Sequence, residues 1–307
     1  MAWPVLSALL PRSGAPSTDA PPSVPEPPVA LPPGRIIHVR GRGEFFLRDT
    51  GETDRPAVLL LHGWMFSSDL NWFTTYGPLQ DAGYRVLALD HRGHGRGLRT
   101  TEPFRLQSCA DDAAAVLREV GAGPTIVVGY SMGGAIAQLV ARDHPDVVLG
   151  LVLSATATDW TEPRMKLLWR TMGGVRFALG LAPNFIWRGA VRSMGGKDDA
   201  ATSWHAVELG RGSAVDLAEA GRELGRFDAR PWNGALTVPA AVVMTRDDTS
   251  VPPAKQRELA DSLDAPLFEA PGTHGAVTMR AKTYNPELLR ALASVTERAQ
   301  RPVAAVA

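Results

Sequence analysis

The stretch Gly129-Tyr130-Ser131-Met132-Gly133-Gly134 limits the possible folds more than any other part of the chain. It follows the apolar run Pro124-Thr125-Ile126-Val127-Val128, which reads as a buried strand, and precedes Ala135–Ala141, rich in helix formers and apolar at helical spacing. A strand that becomes a helix within a few residues forces the residue between them into a tight backbone conformation. Glycines on either side remove side chains that would clash there. Ser131 is therefore expected at the rim of a sheet, its hydroxyl exposed, at the positive end of the new helix. A G-x-S-x-G in an arbitrary loop says little, but within strand-turn-helix context it marks a nucleophile position.

Other strands follow the same logic. Arg35–Arg40 and Glu44–Arg48, separated by Gly41-Arg42-Gly43, read as a hairpin, in which His38 is structural. Pro56–Leu61, Tyr84–Leu89, Leu149–Ser154, Ala240–Met244 and Pro266–Glu269 are apolar runs of strand length. Helices are expected over Asn71–Ala82, stopped at Gly83, and over Gln107–Val120, stopped at Gly121. Strands apolar along most of their length and alternating with helices imply a parallel sheet covered on both faces, with ligands at the strands' carboxyl ends.

From about Thr156 to Trp232 this rhythm breaks. The stretch holds Trp160, Trp169, Trp187, Trp204 and Trp232 without a clear strand. It is expected to be a helical insertion forming a lid over the serine. Met65, Trp160, Trp169, Trp187 and Trp204 are candidates to line an apolar pocket; the alternative is that the aromatics fill the insertion's own small core. Residues 1–34 contain a Pro-, Ser- and Ala-dominated stretch with too little apolar surface to offset its ordering entropy, so a disordered or extended tail is expected. The expected core comprises 35–155 and 233–300, the insertion 156–232, and a short tail 301–307.

The 307 residues suffice for one large α/β domain or two small ones. Thirty-two basic residues balance 32 acidic ones, which gives no pull toward nucleic acid or an anionic membrane and points to a small-molecule partner. One cysteine, Cys109, excludes an internal disulfide, fits a cytoplasmic setting and reads as packing. No apolar run approaches the roughly eighteen residues of a membrane span. The start, Met1–Leu10, is a poor signal peptide, with a surface-docking segment as the alternative. Dispersed histidines without a carboxylate cluster argue against a metal, and Leu98 spoils a dinucleotide fingerprint opened by Gly93-His94-Gly95, so no cofactor is expected.

A serine hydroxyl is a feeble nucleophile at neutral pH and needs a base, which in turn needs an orienting acid. His274, in the glycine-flanked loop after the last strand, is the candidate base. The acid belongs at the strand end between serine and histidine, where Asp247 and Asp248 compete. Asp248 is favoured because the loop has turned by then and Val251-Pro252 follows; Asp159 is a distant third. The amide of Met132, at a helix N-terminus without an intrahelical partner, is placed to hold an oxyanion.

From about Arg35 to Arg298, apart from the insertion, the chain resembles the α/β-hydrolase superfamily. The resemblance rests on His62-Gly63-Trp64, Asp90-His91-Arg92-Gly93-His94-Gly95, the elbow Gly129–Gly133, and Asp248 with Val251-Pro252 ahead of Gly272-Thr273-His274. It implies a mostly parallel eight-stranded sheet with a reshuffled strand order, Ser131 as nucleophile, Asp248 as acid, His274 as base, and Trp64 beside Met132 as oxyanion donors. His62, Asp90 and Arg92 read as loop-pinning residues. Gly97, where many relatives have serine, and Thr273 before His274 depart from the pattern. The chemistry expected is cofactor-independent hydrolysis of an apolar carboxylic ester, as by a carboxylesterase or small lipase. Thioester, lactone, carbon–carbon and peracid chemistry are the alternatives, with a non-catalytic binding protein of the same fold beyond them; Ser131 in place of an aspartate argues against epoxide hydrolysis.

Overall fold

The computed structural model describes residues 25–193 and 200–300. The chain builds β1 (Gly34–Val39), β2 (Gly43–Asp49), β3 (Ala57–Leu61), α1 (Ser68–Trp72), α2 (Tyr76–Asp81), β4 (Arg85–Leu89), α3 (Leu106–Glu119), β5 (Thr125–Tyr130), α4 (Met132–Asp143) and β6 (Val148–Ser154). The insertion follows as α5 (Pro163–Arg170), α6 (Met172–Leu181), α7 (Pro183–Ser193), α8 (Ala200–Leu209) and α9 (Ala214–Leu224). Then come β7 (Ala240–Thr245), α10 (Pro253–Ser262), β8 (Leu267–Ala270), α11 (Ala276–Met279) and α12 (Ala281–Gln300).

Eight strands form one sheet in the order β1-β2-β4-β3-β5-β6-β7-β8. The hairpin β1–β2 joins β4 antiparallel, and every pair from β4 onward is parallel. Alternate residues of each strand face opposite cores. Leu59 and Leu61 of β3 pack on one side with α3 and α4, whereas Val58 and Leu60 pack on the other with α2 and α12. That is why the central strands are apolar without interruption.

The expected helix over Asn71–Ala82 is two short ones. Ser67 caps α1 by accepting from the Leu70 amide, and Phe73–Thr75 interrupt the helix. Asn285 of α12 causes the break: its amide donates to the Thr74 carbonyl at 2.8 Å, and its oxygen accepts from the Thr75 hydroxyl at 3.1 Å.

Residues 1–24 of the expected tail, including Met1–Leu10, and the short tail 301–307 lie outside the described residues. The end of the N-terminal stretch is held: Pro32 is buried and its carbonyl accepts from Arg48 at 2.7 Å, while the Pro33 carbonyl accepts from the Asp49 amide. Among the described residues, no helix is long and apolar enough to cross a membrane.

The insertion leaves the core through a narrow neck. Trp160 donates its amide to the Phe227 carbonyl and Ala229 to that of Thr158, so the two passages lie side by side. Farther on, Glu208 of α8 is buried and ties the insertion down, accepting from the Ser67 hydroxyl at 2.9 Å and from Arg96 at 2.7 Å.

Candidate active site

The loops after β3, β6 and β8 meet Ser131 through Gly63, Thr156 and His274. β5 delivers it and α4 starts directly after it. Ser131 has φ 54° and ψ −117°, a conformation that an ordinary side chain adopts only when its surroundings enforce it. They do so here by close approach. A Cβ on Gly129 would sit 2.3 Å from the Gly133 carbonyl oxygen, and one on Gly133 would sit 2.1 Å from that of Leu61. Thr156 holds the turn from the other side, its hydroxyl donating to the Ser131 carbonyl at 2.8 Å.

A methyl group at position 133 has only rigid backbone to push against. Gly133→Ala is expected to lower unfolding stability by about 3 kcal/mol or more, read from the urea midpoint. Gly77→Ala, in a helix with nothing near the added Cβ, is expected to be neutral or stabilising by up to about 1 kcal/mol. Equal effects at the two positions would contradict the packing described.

His274, in the loop after β8, places Nε2 3.0 Å from Ser131 Oγ and Nδ1 2.8 Å from Asp248 Oδ2. A carboxylate only accepts, so Nδ1 carries the proton and Nε2 presents a lone pair to the serine hydroxyl. Asp248 is buried and saturated: Oδ1 accepts from the amides of Ser250 and Val251, and Oδ2 from Thr245 Oγ1 at 2.7 Å as well as from His274. Burial alone raises its pKa, but His274 and these donors outweigh it and hold the carboxyl below the usual range.

Asp247 turns elsewhere, accepting from the Gly272 amide at 3.1 Å and so bracing the loop that carries His274. Asp159 lies at the insertion's neck, paired with Lys255 at 2.9 Å.

The amides of Trp64 and Met132 donate to no other group among the described residues. The Trp64 side chain is anchored to the insertion. Its Nε1 donates to the Leu217 carbonyl of α9 at 2.7 Å, and its ring stands edge-on to Trp169 at 5.2 Å. Ser131 is only 7% exposed, far less than a bare sheet rim would leave it.

Trp160 and Trp169 belong to the core shared with α3 and α4, whereas Trp187 and Trp204 fill a separate cluster with Leu179, Val191 and Leu209, against which Met65 packs. All four tryptophans are buried, so packing accounts for each; Trp169 alone of them is tied here to Trp64.

Several polar residues around the site carried no readable signal. The Tyr130 hydroxyl donates to the His274 carbonyl at 2.6 Å, and Asn71 accepts from the Gly63 amide at 3.0 Å. Only Tyr130 could have been suspected, as a polar-tipped ring immediately before the serine.

Loop-pinning side chains surround these groups. Asp90 accepts from the amides of Ser68 and Arg96, and Arg92 forms a two-pronged bond with Asp112 of α3. Gly97 is explained locally: a Cβ there would lie 2.1 Å from the His91 carbonyl oxygen, so this loop has no room for serine.

His62, His91 and His94 form a buried group, with ring centroids 4.3 Å and 5.5 Å from His62. His62 Nε2 accepts from the His91 amide, so Nδ1 is protonated and donates to the Gly63 carbonyl. Burial pushes His62 down to about 4 and His94 to about 3. It also drives His91 well below the usual imidazole range, with both neighbours adding to the effect.

Histidines neutral when folded but free to protonate when unfolded lower stability as pH falls. The loss starts near the unfolded value of 6.5 and continues to about 4. At about pH 5 each of His62 and His94 is expected to cost on the order of 2 kcal/mol relative to neutral pH. Urea midpoints across this range check it; a midpoint unchanged between neutral pH and about pH 5 would contradict it.

Known proteins share this fold. The family model for the alpha/beta hydrolase fold matches residues 56–275. A non-heme haloperoxidase of Rhodococcus erythropolis is 32% identical over 80% of this chain and 94% of its own length. A bifunctional esterase/perhydrolase of Acinetobacter calcoaceticus is 38% identical over 36% of this chain and 40% of its own. Among solved structures, a thermophilic esterase from Thermogutta terrifontis superposes with a TM-score of 0.70 at 23% identity, covering 88% of this chain and all of that one. With its eight-stranded mostly parallel sheet and a family match over most of its length, the chain belongs to the alpha/beta hydrolase fold family and is a hydrolase.

Proposed function

We propose that the protein is a serine hydrolase that cleaves carboxylic esters of small apolar substrates through an acyl-enzyme. The observation that carries this is the chain of contacts from Asp248 through His274 to Ser131 Oγ, at 2.8 Å and 3.0 Å. Ser131 Oγ attacks the ester carbonyl carbon as its proton passes to His274 Nε2. The imidazolium so formed faces the Asp248 carboxylate, which stabilises it. The carbonyl oxygen, now negative, accepts from the amides of Trp64 and Met132; fixed donors of this kind lower the barrier by about 3 kcal/mol each. Nε2 then protonates the departing alcohol. In the second half, water gives its proton to Nε2 as it attacks the acyl carbon, and Nε2 returns that proton to Ser131 Oγ as the carboxylic acid leaves.

The insertion serves in this proposal as a lid. Its α9 fixes Trp64 and it keeps Ser131 from bulk water, which favours an apolar acyl or alcohol group. The lone thiol, Cys109, is buried in α3 and goes with a cytoplasmic location.

A panel of p-nitrophenyl esters of increasing acyl length tests the proposal. Turnover that peaks at one chain length supports it, flat activity speaks against an apolar pocket, and no turnover of any ester against the ester reading. A second reading, favoured by the names of the haloperoxidase and esterase/perhydrolase relatives, is release of the acyl group to hydrogen peroxide instead of water. Peracid formed from ester and peroxide, in excess of hydrolysis, distinguishes the two.

A further inference from the structure

The balanced net charge conceals an uneven distribution. Between Glu162 and Asp198 lie 35 residues without one aspartate or glutamate, of which seven are lysine or arginine. This stretch builds α5, α6 and α7, the first three helices of the insertion.

Its surface is apolar as well as cationic. Leu167, Phe177, Leu181 and Phe185 are 66%, 70%, 70% and 81% exposed. With Leu168 they make five of the ten large apolar residues exposed among the described residues, gathered within nineteen positions. Scattered singly, such residues need no explanation; Phe177 and Leu181 line one groove together, and apolar residues so gathered mark an interaction surface.

The helical spacing mixes the two characters. On α6, Arg176 and Phe177 each have a partner one turn on, at Gly180 and Leu181. These four, with Gly173 and Arg222 of α9, line a surface groove of about 480 Å³. On α7, Phe185 and Arg188 are exposed on one side while Trp187 and Val191 turn inward. Lys166, Arg170, Arg176 and Arg188 form no ion pair among the described residues.

We propose that the outer face of α5–α7 docks on an anionic lipid bilayer. Such a surface offers negative headgroups to the arginines and, just beneath, hydrocarbon to the phenylalanines and leucines; water satisfies only the former and a neutral apolar partner only the latter. The face has no acidic side chain of its own sequence stretch to repel the headgroups. α6 packs on α9, whose Leu217 carbonyl holds the Trp64 ring, so a docked bilayer would lie near the helix that anchors Trp64. The proposal stands apart from the assigned chemistry, because docking needs no turnover.

Flotation of the full chain with vesicles tests it. The protein is expected to float with phosphatidylcholine vesicles containing phosphatidylglycerol, to do so poorly with pure phosphatidylcholine, and to be released by high salt. Each cation near such a surface strengthens partition about fivefold, so Arg176→Ser/Arg188→Ser is expected to weaken it about 25-fold. Phe177→Ser/Phe185→Ser is expected to weaken it while leaving the salt dependence in place. Ser131→Ala is expected to bind as wild type, which separates this surface from catalysis.

Both double variants should keep the wild-type melting transition and turnover of a water-soluble ester. Four results would overturn the proposal. They are no flotation, equal flotation with both vesicle types, binding lost on deleting Met1–Leu10 but not in the double variants, and capture by an acidic polypeptide without affinity for vesicles.

Discussion

Ser131→Ala is expected to lower kcat/KM toward a small p-nitrophenyl ester by on the order of 10^5 to 10^6-fold while leaving the fold intact. The size follows from what the hydroxyl does. Without it His274 has nothing to deprotonate but water, no acyl-enzyme forms, and what remains is binding plus the two free amides, which act on the wrong nucleophile. The structural cost is small, because among the described residues Ser131 Oγ hydrogen-bonds only to His274, and the strained backbone is held by Gly129, Gly133 and Thr156 rather than by the side chain. Ester turnover by the alanine variant within tenfold of wild type would show that another group attacks.

Asp248→Asn is expected to cost about 10^4-fold in kcat with little change in KM. Asparagine can keep the acceptor for the Ser250 and Val251 amides, and the Thr245 hydroxyl can turn to accept from the new NH2. The amide nitrogen facing His274 cannot accept, however, so Nδ1–H loses its partner. The ring then settles with the proton on Nε2, where it donates toward Ser131 instead of drawing its proton. Asp247→Asn, which alters a side chain bonded to the Gly272 amide, is expected to cost no more than about tenfold. The contrast between neighbours one residue apart is checked by steady-state kinetics on both variants; the reverse order would exchange their roles.

How far these features were legible in the sequence depends on the range of the forces that set them. β3, β5 and β7 are apolar on both sides because both faces are covered, so their runs announce them. Ser131 was readable because the strand, the turn and the helix are local and the glycines betray how closely the chains approach. The helix break at Thr74 was not, because Asn285 sets it from more than two hundred residues away. Thr245 and Asn71 are likewise ordinary polar residues until the fold brings Asp248 and Gly63 to them. The tryptophans announced burial but not the core each would join: Trp169 reaches Trp64, whereas Trp187 packs within the insertion. A serine expected in the open is 7% exposed.

Covalent labelling with a fluorophosphonate, read by mass spectrometry of the peptide that spans residues 129–134, identifies the attacking group. A phosphonyl adduct is expected on Ser131 in the wild type, none in Ser131→Ala, and much slower labelling in His274→Ala. An adduct on another residue, or equal labelling of wild type and Ser131→Ala, would contradict it.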